Sequence, residues 1–398
     1  MEKSLQKKKI KKRIYLDFAG AAPVSARAKR ALASALRAYG NPSAAHTEGR
    51  EARVLLEEAR TTIARLTEVK TDDVIFTSGA TEANALAIFG HIRALMDAGR
   101  CAKDIHLLYL PTAHSSIVES ARALARAGVA AEPLPILPEG RVDIQALTKI
   151  LRPETVLVSM DAVCGETGTI WNTREVRQAL EAKAREGKRA LLHIDASQAP
   201  LTSRITRTYW GADMLVFDAQ KVGGVRGIGA LIARRTIPLV PLVRGGGHER
   251  GVRPGTPPVA LAASFAAALA GVSSGRENFC ASAERSRSAL APVLASIPQC
   301  ILHTAKEQSP HIINVSLLGR DTDYLVALLD EAGFAVSTRS ACETDAEGSR
   351  VLLALTGDQK RAASTLRISF GPTTRPAELV RFSRALVRAV AFLDQHTM

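Results

Sequence analysis

Leu191-Leu192-His193-Ile194-Asp195-Ala196-Ser197-Gln198 and Met214-Leu215-Val216-Phe217-Asp218-Ala219-Gln220-Lys221 share one plan. Each opens with an apolar run short enough for a strand buried in a parallel sheet, and each ends in polar residues. Working outward, Val74–Thr77, Ile105–Leu110, Val156–Met160 and Ala230–Ala233 also read as strands. Between them, Glu48–Thr67, Thr81–Ala98, Ser116–Ala127, Asp143–Leu151 and Thr173–Glu186 read as amphipathic helices. Alternation of this kind predicts an α/β fold with a mostly parallel sheet covered on both faces.

In an open α/β sheet the ligand crevice lies outside the carboxyl ends of the strands. Asp195 and Lys221 are therefore expected to point into one crevice. Two readings are open. One is a strand-end salt bridge. The other is an acid that pairs with a pyridinium nitrogen, beside a lysine that forms a Schiff base, which is what pyridoxal phosphate requires of its protein. Thr77-Ser78-Gly79-Ala80-Thr81-Glu82 reads as a strand, a small turn and a helix start. Free backbone N–H groups and the helix dipole there attract a phosphate; a Ser/Thr N-cap with no ligand is the bland alternative. Gly223-Gly224-Val225-Arg226-Gly227-Ile228-Gly229 is a poor nucleotide loop, because Lys221 precedes the glycines instead of following them.

The rhythm breaks at the glycine-rich stretch Gly245–Gly255, closed by Pro254, Pro257 and Pro258. An alanine-rich helix from Val259 follows, then a strand at Ile312–Leu317, a helix from Asp323 and a strand at Leu366–Phe370, which reads as a smaller α+β lobe. A chain of 398 residues is long enough for two domains. Between the last helix and strand lies Arg339-Ser340-Ala341-Cys342-Glu343-Thr344, a polar loop containing one cysteine. Free cysteine has a pKa of about 8.5, so a small thiolate fraction is present at neutral pH. Cys300, among Ile297, Ile301 and Leu302, reads instead as structural.

Five cysteines, an odd number without a Cys-x-x-Cys pair, argue against a disulfide framework and for a reducing cytoplasm. Nine histidines show no metal-binding spacing, so no metal is expected. No apolar run approaches a membrane span, and the polar, lysine-rich start lacks a secretory core. Net charge is +14, from 53 basic and 39 acidic residues. Much of it lies in Lys7-Lys8-Lys9-Ile10-Lys11-Lys12-Arg13, which reads as a solvated tail, with contact to RNA or an acidic protein as the alternative. No aromatic interleaving accompanies it, so a nucleic-acid function is not expected.

These motifs together resemble the cysteine desulfurases of the class V aminotransferase group, pyridoxal-phosphate enzymes of fold type I. The likeness runs from Tyr15-Leu16-Asp17 to Arg367-Ile368-Ser369-Phe370-Gly371. It passes in order through Gly40-Asn41-Pro42-Ser43, the Thr77–Glu82 turn, the Asp195 and Lys221 segments, Gly245–Gly251 and Ser340-Ala341-Cys342. It implies a large cofactor-binding domain over 14–258. It also implies a small domain over 259–398, joined by the segment 1–13 and carrying the cysteine loop. Residue by residue, it implies that Ala80 and Thr81 hold the cofactor phosphate and that His114 stacks on the ring and shuttles protons. Asp195 would keep the ring nitrogen protonated, and Gln198 would donate to the phenolic oxygen. Lys221 would be the Schiff-base lysine, with Gln220 beside it as a hydrogen-bond donor. Arg367 would clamp the substrate carboxylate, and Cys342 would be the nucleophile toward sulfur. Thr256 would reach the phosphate of a neighbouring subunit, which implies a homodimer. L-cysteine would be the substrate, and a sulfur-acceptor protein the partner.

Three departures mark this chain. The family commonly has Ser-x-His-Lys where Asp218-Ala219-Gln220-Lys221 stands, and Asp218 would repel a phosphate dianion if it faces one. Gly165 in Cys164-Gly165-Glu166-Thr167-Gly168 replaces an asparagine. Arg339 replaces a small residue three positions before Cys342. They keep two alternatives open: another class V enzyme, such as a selenocysteine lyase or an aminotransferase, and a cofactor-poor scaffold for sulfur assembly.

Overall fold

The computed structural model describes residues 13–184, 189–338 and 348–396. In chain order its strands are β1 (Ile14–Tyr15), β2 (Val74–Thr77), β3 (His106–Tyr109), β4 (Ala130–Pro133), β5 (Ile136–Leu137), β6 (Arg141–Val142) and β7 (Thr155–Asp161). They continue as β8 (Leu191–Asp195), β9 (Met214–Asp218), β10 (Gly229–Ala233), β11 (Cys300–Leu302), β12 (Ile312–Leu317), β13 (Phe334–Ala335) and β14 (Thr365–Ser369). Seven of them form one sheet in the order β2-β10-β9-β8-β7-β3-β4. The pairings from β9 through β4 are parallel, and β10 runs antiparallel to both of its neighbours.

The central strands are apolar because both faces are covered. Every residue of β7, β9 and β10 is buried. Edge strand β2 is closed off by a side chain: the backbone N–H of Phe76 donates to Glu249 Oε2 at 2.8 Å, and Arg60 pairs with the same carboxylate at 2.7 Å. An outward-facing strand amide would otherwise offer a pairing edge. The same contact fastens the glycine-rich loop to the sheet.

The helix expected over Thr81–Ala98 runs through Ala80–Ala85, a π turn at Leu86–Gly90 and His91–Asp97 without interruption. Two apolar clusters organise the interior. One surrounds the seven-stranded sheet. The other joins β1, the three-stranded sheet β11-β12-β14 and the helices Thr322–Glu331 and Pro376–His396. Ile14 and Leu16 belong to the second cluster.

Helix Val259–Ala295 serves both clusters, with Val259 to Leu269 in the first and Ala283 to Leu294 in the second. By length and a windowed mean hydropathy of 1.3 it could cross a membrane, which the sequence reading did not anticipate. Its buried residues pack into the two interior clusters.

Candidate active site

A cavity of about 280 Å³ opens at the carboxyl edge of the large sheet. Strands β7, β8 and β9 deliver Asp161, Asp195 and Asp218 to its rim, and the turns after β2 and β3 add Ala80, Thr81 and His114. Gln198, Gln220 and Lys221 complete the sheet side. Ala19, Gly20, Arg350 and Arg367 line it as well. Eight expected site residues therefore meet: Ala80, Thr81, His114, Asp195, Gln198, Gln220, Lys221 and Arg367. Thr256 is exposed and does not line the cavity. Cys342 and Arg339 lie outside the described residues.

Lys221 sits on a short turn, Ala219–Val222, directly after β9. Its Nζ donates to the carbonyls of Ala19 and Gly20, both at 2.8 Å. Part of the side chain faces the cavity, yet the ammonium group is enclosed, and this burial draws its pKa below the ordinary lysine value. Asp218 opposes the shift and Arg367 adds to it. A lysine of lowered basicity keeps more neutral amine, the form that attacks an aldehyde.

Asp195 accepts from Asn84 Nδ2 at 2.7 Å and from the Ser197 N–H at 2.9 Å. Asn84 Nδ2 also donates to Ser116 Oγ at 2.9 Å, and Ser116 Oγ lies 2.8 Å from His114 Nδ1. The directions of these bonds follow from chemistry. A carboxylate only accepts, so Asn84 presents its NH₂ here, and Ser116 Oγ accepts the second hydrogen of that group. The serine proton is then free to go to His114 Nδ1, which also accepts the Ser116 N–H at 3.2 Å. Neutral His114 therefore carries its proton on Nε2. Asn84 is a site residue that sequence reasoning missed.

Asp161 was missed as well. It stands opposite Asp195 in the β7–β8 register and accepts from the His114 N–H at 3.3 Å. Burial first, then the Asp195 charge, push its pKa up to about 8, against smaller opposing pulls from His114 and Arg350. It holds a proton at neutral pH. Cys164 lines the same cavity, but burial raises its thiol to about 11, which makes it a poor nucleophile.

Arg367 on β14 donates to Asp17 Oδ1 at 2.7 Å and to the Gly165 carbonyl at 3.1 Å. Its Nε is buried without a partner among the described residues. Gln198 Nε2 donates to the Ala19 carbonyl at 2.9 Å. A Cβ on Gly165 would come within 2.9 Å of that Nε2, so the Gly165 departure makes room for the Gln198 amide. Asp218 faces the turn after β2. Its Oδ2 accepts the Ala80 N–H at 2.9 Å, and its Oδ1 accepts the Gln220 N–H at 2.9 Å.

The seven-stranded, mostly parallel sheet with this cavity at its carboxyl edge has the fold of the type I pyridoxal-phosphate proteins. The chain belongs to the class-V aminotransferase family, whose profile matches residues 14–382, and within it to the cysteine desulfurases. It is 32% identical over 362 residues to cysteine desulfurase IscS 1 of Archaeoglobus fulgidus, covering 90% of this chain and 91% of that one. A solved NifS-like protein superposes with a TM-score of 0.87 at 28% identity, covering 96% of this chain and all of that one. SspA, solved in complex with cysteine, superposes with a TM-score of 0.76 at 27% identity, covering 91% and 99%.

Proposed function

We propose that this chain uses pyridoxal phosphate to remove sulfur from L-cysteine, releasing L-alanine and leaving a persulfide on Cys342. The observation that carries the reading is the meeting of Lys221, Asp195 and Arg367 in one cavity, with the lysine already reduced in basicity. At the ring end the residues fit the cofactor. Lys221 would hold its aldehyde carbon and Asp195 its ring nitrogen. His114, Gln198 and Gln220 would border the ring. The Ala80–Thr81 turn would receive the phosphate, joined by Ser197, whose hydroxyl is buried without a partner among the described residues. Thr256 would reach it from a neighbouring copy of the chain. When bound, pyridoxal phosphate supplies an electron sink for the substrate Cα.

The chain's own groups supply the rest. Arg367 receives the substrate carboxylate on a planar guanidinium already steadied by Asp17 and Gly165. Lys221, the amine within the cavity, moves protons at Cα and Cβ. His114 offers the Nε2 proton, its Nδ1 being committed to Ser116. Asp161, protonated, adds no negative charge against an anionic substrate group.

The Cys342 thiolate attacks the substrate sulfur. The Cβ–S bond breaks, its electron pair stays on Cβ, and a proton there completes the methyl group of alanine. The sulfur, now bonded to Cys342, is ready for transfer to an acceptor protein. The SspA complex with cysteine supports L-cysteine as the substrate class.

The test is Cys342→Ser. Added cysteine should still change the visible spectrum of the loaded variant, because Lys221 and Arg367 are intact, while sulfide production falls at least 100-fold. Substantial turnover by Cys342→Ser, or a persulfide trapped on Cys164, sinks the assignment.

A further inference from the structure

We propose that Asp218 is an internal competitor for the cofactor's phosphate, so that this chain prefers phosphorylated over unphosphorylated pyridoxal far less than a neutral residue at 218 would allow. The proposal rests on the pyridoxal-phosphate reading above. It begins with an inventory of the amides at the turn after β2. Helix-start N–H groups bind anions because they have no partner within the helix. Here two of the amides around that turn are already taken. The Ala80 N–H donates to Asp218 Oδ2 at 2.9 Å, and the Ser78 N–H donates to Glu82 Oε2 at 2.5 Å. A Cβ on Gly79 would lie 3.2 Å from Asp218 Oδ2, so the carboxylate lies close against the turn. It is only 7% exposed and is held from its other oxygen by the Gln220 N–H. An anion is therefore seated where an anion is wanted, and it is part of the chain.

The cations nearby are committed elsewhere. Arg253 pairs with Glu82 at 3.1 Å, Lys221 donates to the carbonyls of Ala19 and Gly20, and Arg367 pairs with Asp17. Position 220 holds a neutral amide. Left available are Thr81 on the turn itself and the Ser197 hydroxyl, buried and without a partner among the described residues. A phosphate dianion must therefore displace Asp218 from the Ala80 N–H or share the turn with a like charge. The ring end feels no such conflict, since Lys221 and Asp195 engage groups that pyridoxal and its phosphate have in common. Asp218 also raises the Lys221 pKa, but that influence is the same for both aldehydes and cancels in their ratio.

The experiment measures the ratio of dissociation constants for pyridoxal and pyridoxal phosphate, by absorbance titration of cofactor-stripped protein. It uses wild type, Asp218→Ser and Asp218→Asn. Borohydride reduction and mass spectrometry confirm that each aldehyde is attached at Lys221. The asparagine keeps the shape and the acceptor while removing the charge, so it guards against a folding defect in the serine variant. Asp218→Ser should tighten pyridoxal phosphate at least tenfold and change pyridoxal less than twofold, with Asp218→Asn in between. Inorganic phosphate should protect the serine variant from pyridoxal phosphate at lower concentration than it protects wild type. An unchanged ratio in both variants, or a parallel gain for both aldehydes, overturns the proposal. Failure of either aldehyde to attach at Lys221 in all three proteins also overturns it, and identifies the pyridoxal reading as the part that failed.

Discussion

The large sheet carries a cavity at each edge, and the larger one is chemically the quieter. At the amino edge, about 630 Å³ is walled by Leu151, Leu191 and Ile237 and by the cations Arg100, Arg152, Lys183, Arg189 and Arg234. Its acid, Asp213, is fully engaged: Arg189 binds both carboxylate oxygens at 2.7 and 2.8 Å, and the Leu192 N–H adds 2.8 Å. Burial would raise the Asp213 pKa, yet these donors outweigh it and hold the group below its ordinary value. At the carboxyl edge, about 280 Å³ contains a lysine of lowered basicity, an aspartic acid titrating near pH 8 and a thiol near 11. Ionisable groups left out of balance locate chemistry better than volume does.

The strongest way to break this contrast is Lys221→Ala. It should abolish borohydride-trapped cofactor at position 221 and cysteine-dependent sulfide release together, a loss of at least a thousandfold in turnover. Mass spectrometry that finds the reduced adduct on a different lysine would move the site away from this cavity.

A medium effect belongs to Asp161. Its folded pKa of about 8 lies above the unfolded value of 3.8. The folded chain then binds a proton that the unfolded chain releases between those limits. This contribution to stability is complete below about pH 4 and is lost as pH rises toward 8, with a slope of at most about 1.4 kcal/mol per pH unit. Asp161→Asn has no proton to lose. Urea unfolding at pH 5, 6, 7 and 8 should show the variant gaining on wild type at each step and levelling off above pH 8. A difference that stays flat from pH 5 to 8 means that Asp161 is ionised in the folded protein.

How much of this edge was legible in the sequence depends on the kind of signal. Asp195 and Lys221 stand out because a buried parallel strand is an uninterrupted apolar run and its end is abrupt. Asp161 has the same placement, but the strand expected to stop at Met160 continues one residue further, all of it buried. Strand β4, Ala130–Pro133, carries no apolar run, because it pairs on one side only. The Asn84 relay joins residues far apart in sequence, and no periodicity encodes such a contact. For Asp218 the sequence raised one concern, repulsion of a phosphate if the carboxylate faces one. Only the fold reveals that its carboxylate sits on the Ala80 N–H.

The smallest expected effect sharpens the contrast from the other side. Arg100→Ala combined with Arg234→Ala removes two cations of the amino-edge cavity and spares Arg189, whose loss would strand the buried Asp213 charge. Neither arginine makes an ion pair among the pairs described, and Arg234 is exposed. Their influence on the opposite edge must cross the thickness of the sheet. Exposed charges are screened over about 8 Å at physiological ionic strength. L-cysteine is a zwitterion with little net charge near neutral pH, so weakening the positive field of this surface removes little steering. The doubly substituted enzyme should keep kcat/KM for sulfide release within about twofold of wild type, at both low and moderate salt. A tenfold loss that persists with an unchanged urea midpoint would show the amino edge taking part in turnover, and the division of labour between the two edges would not stand.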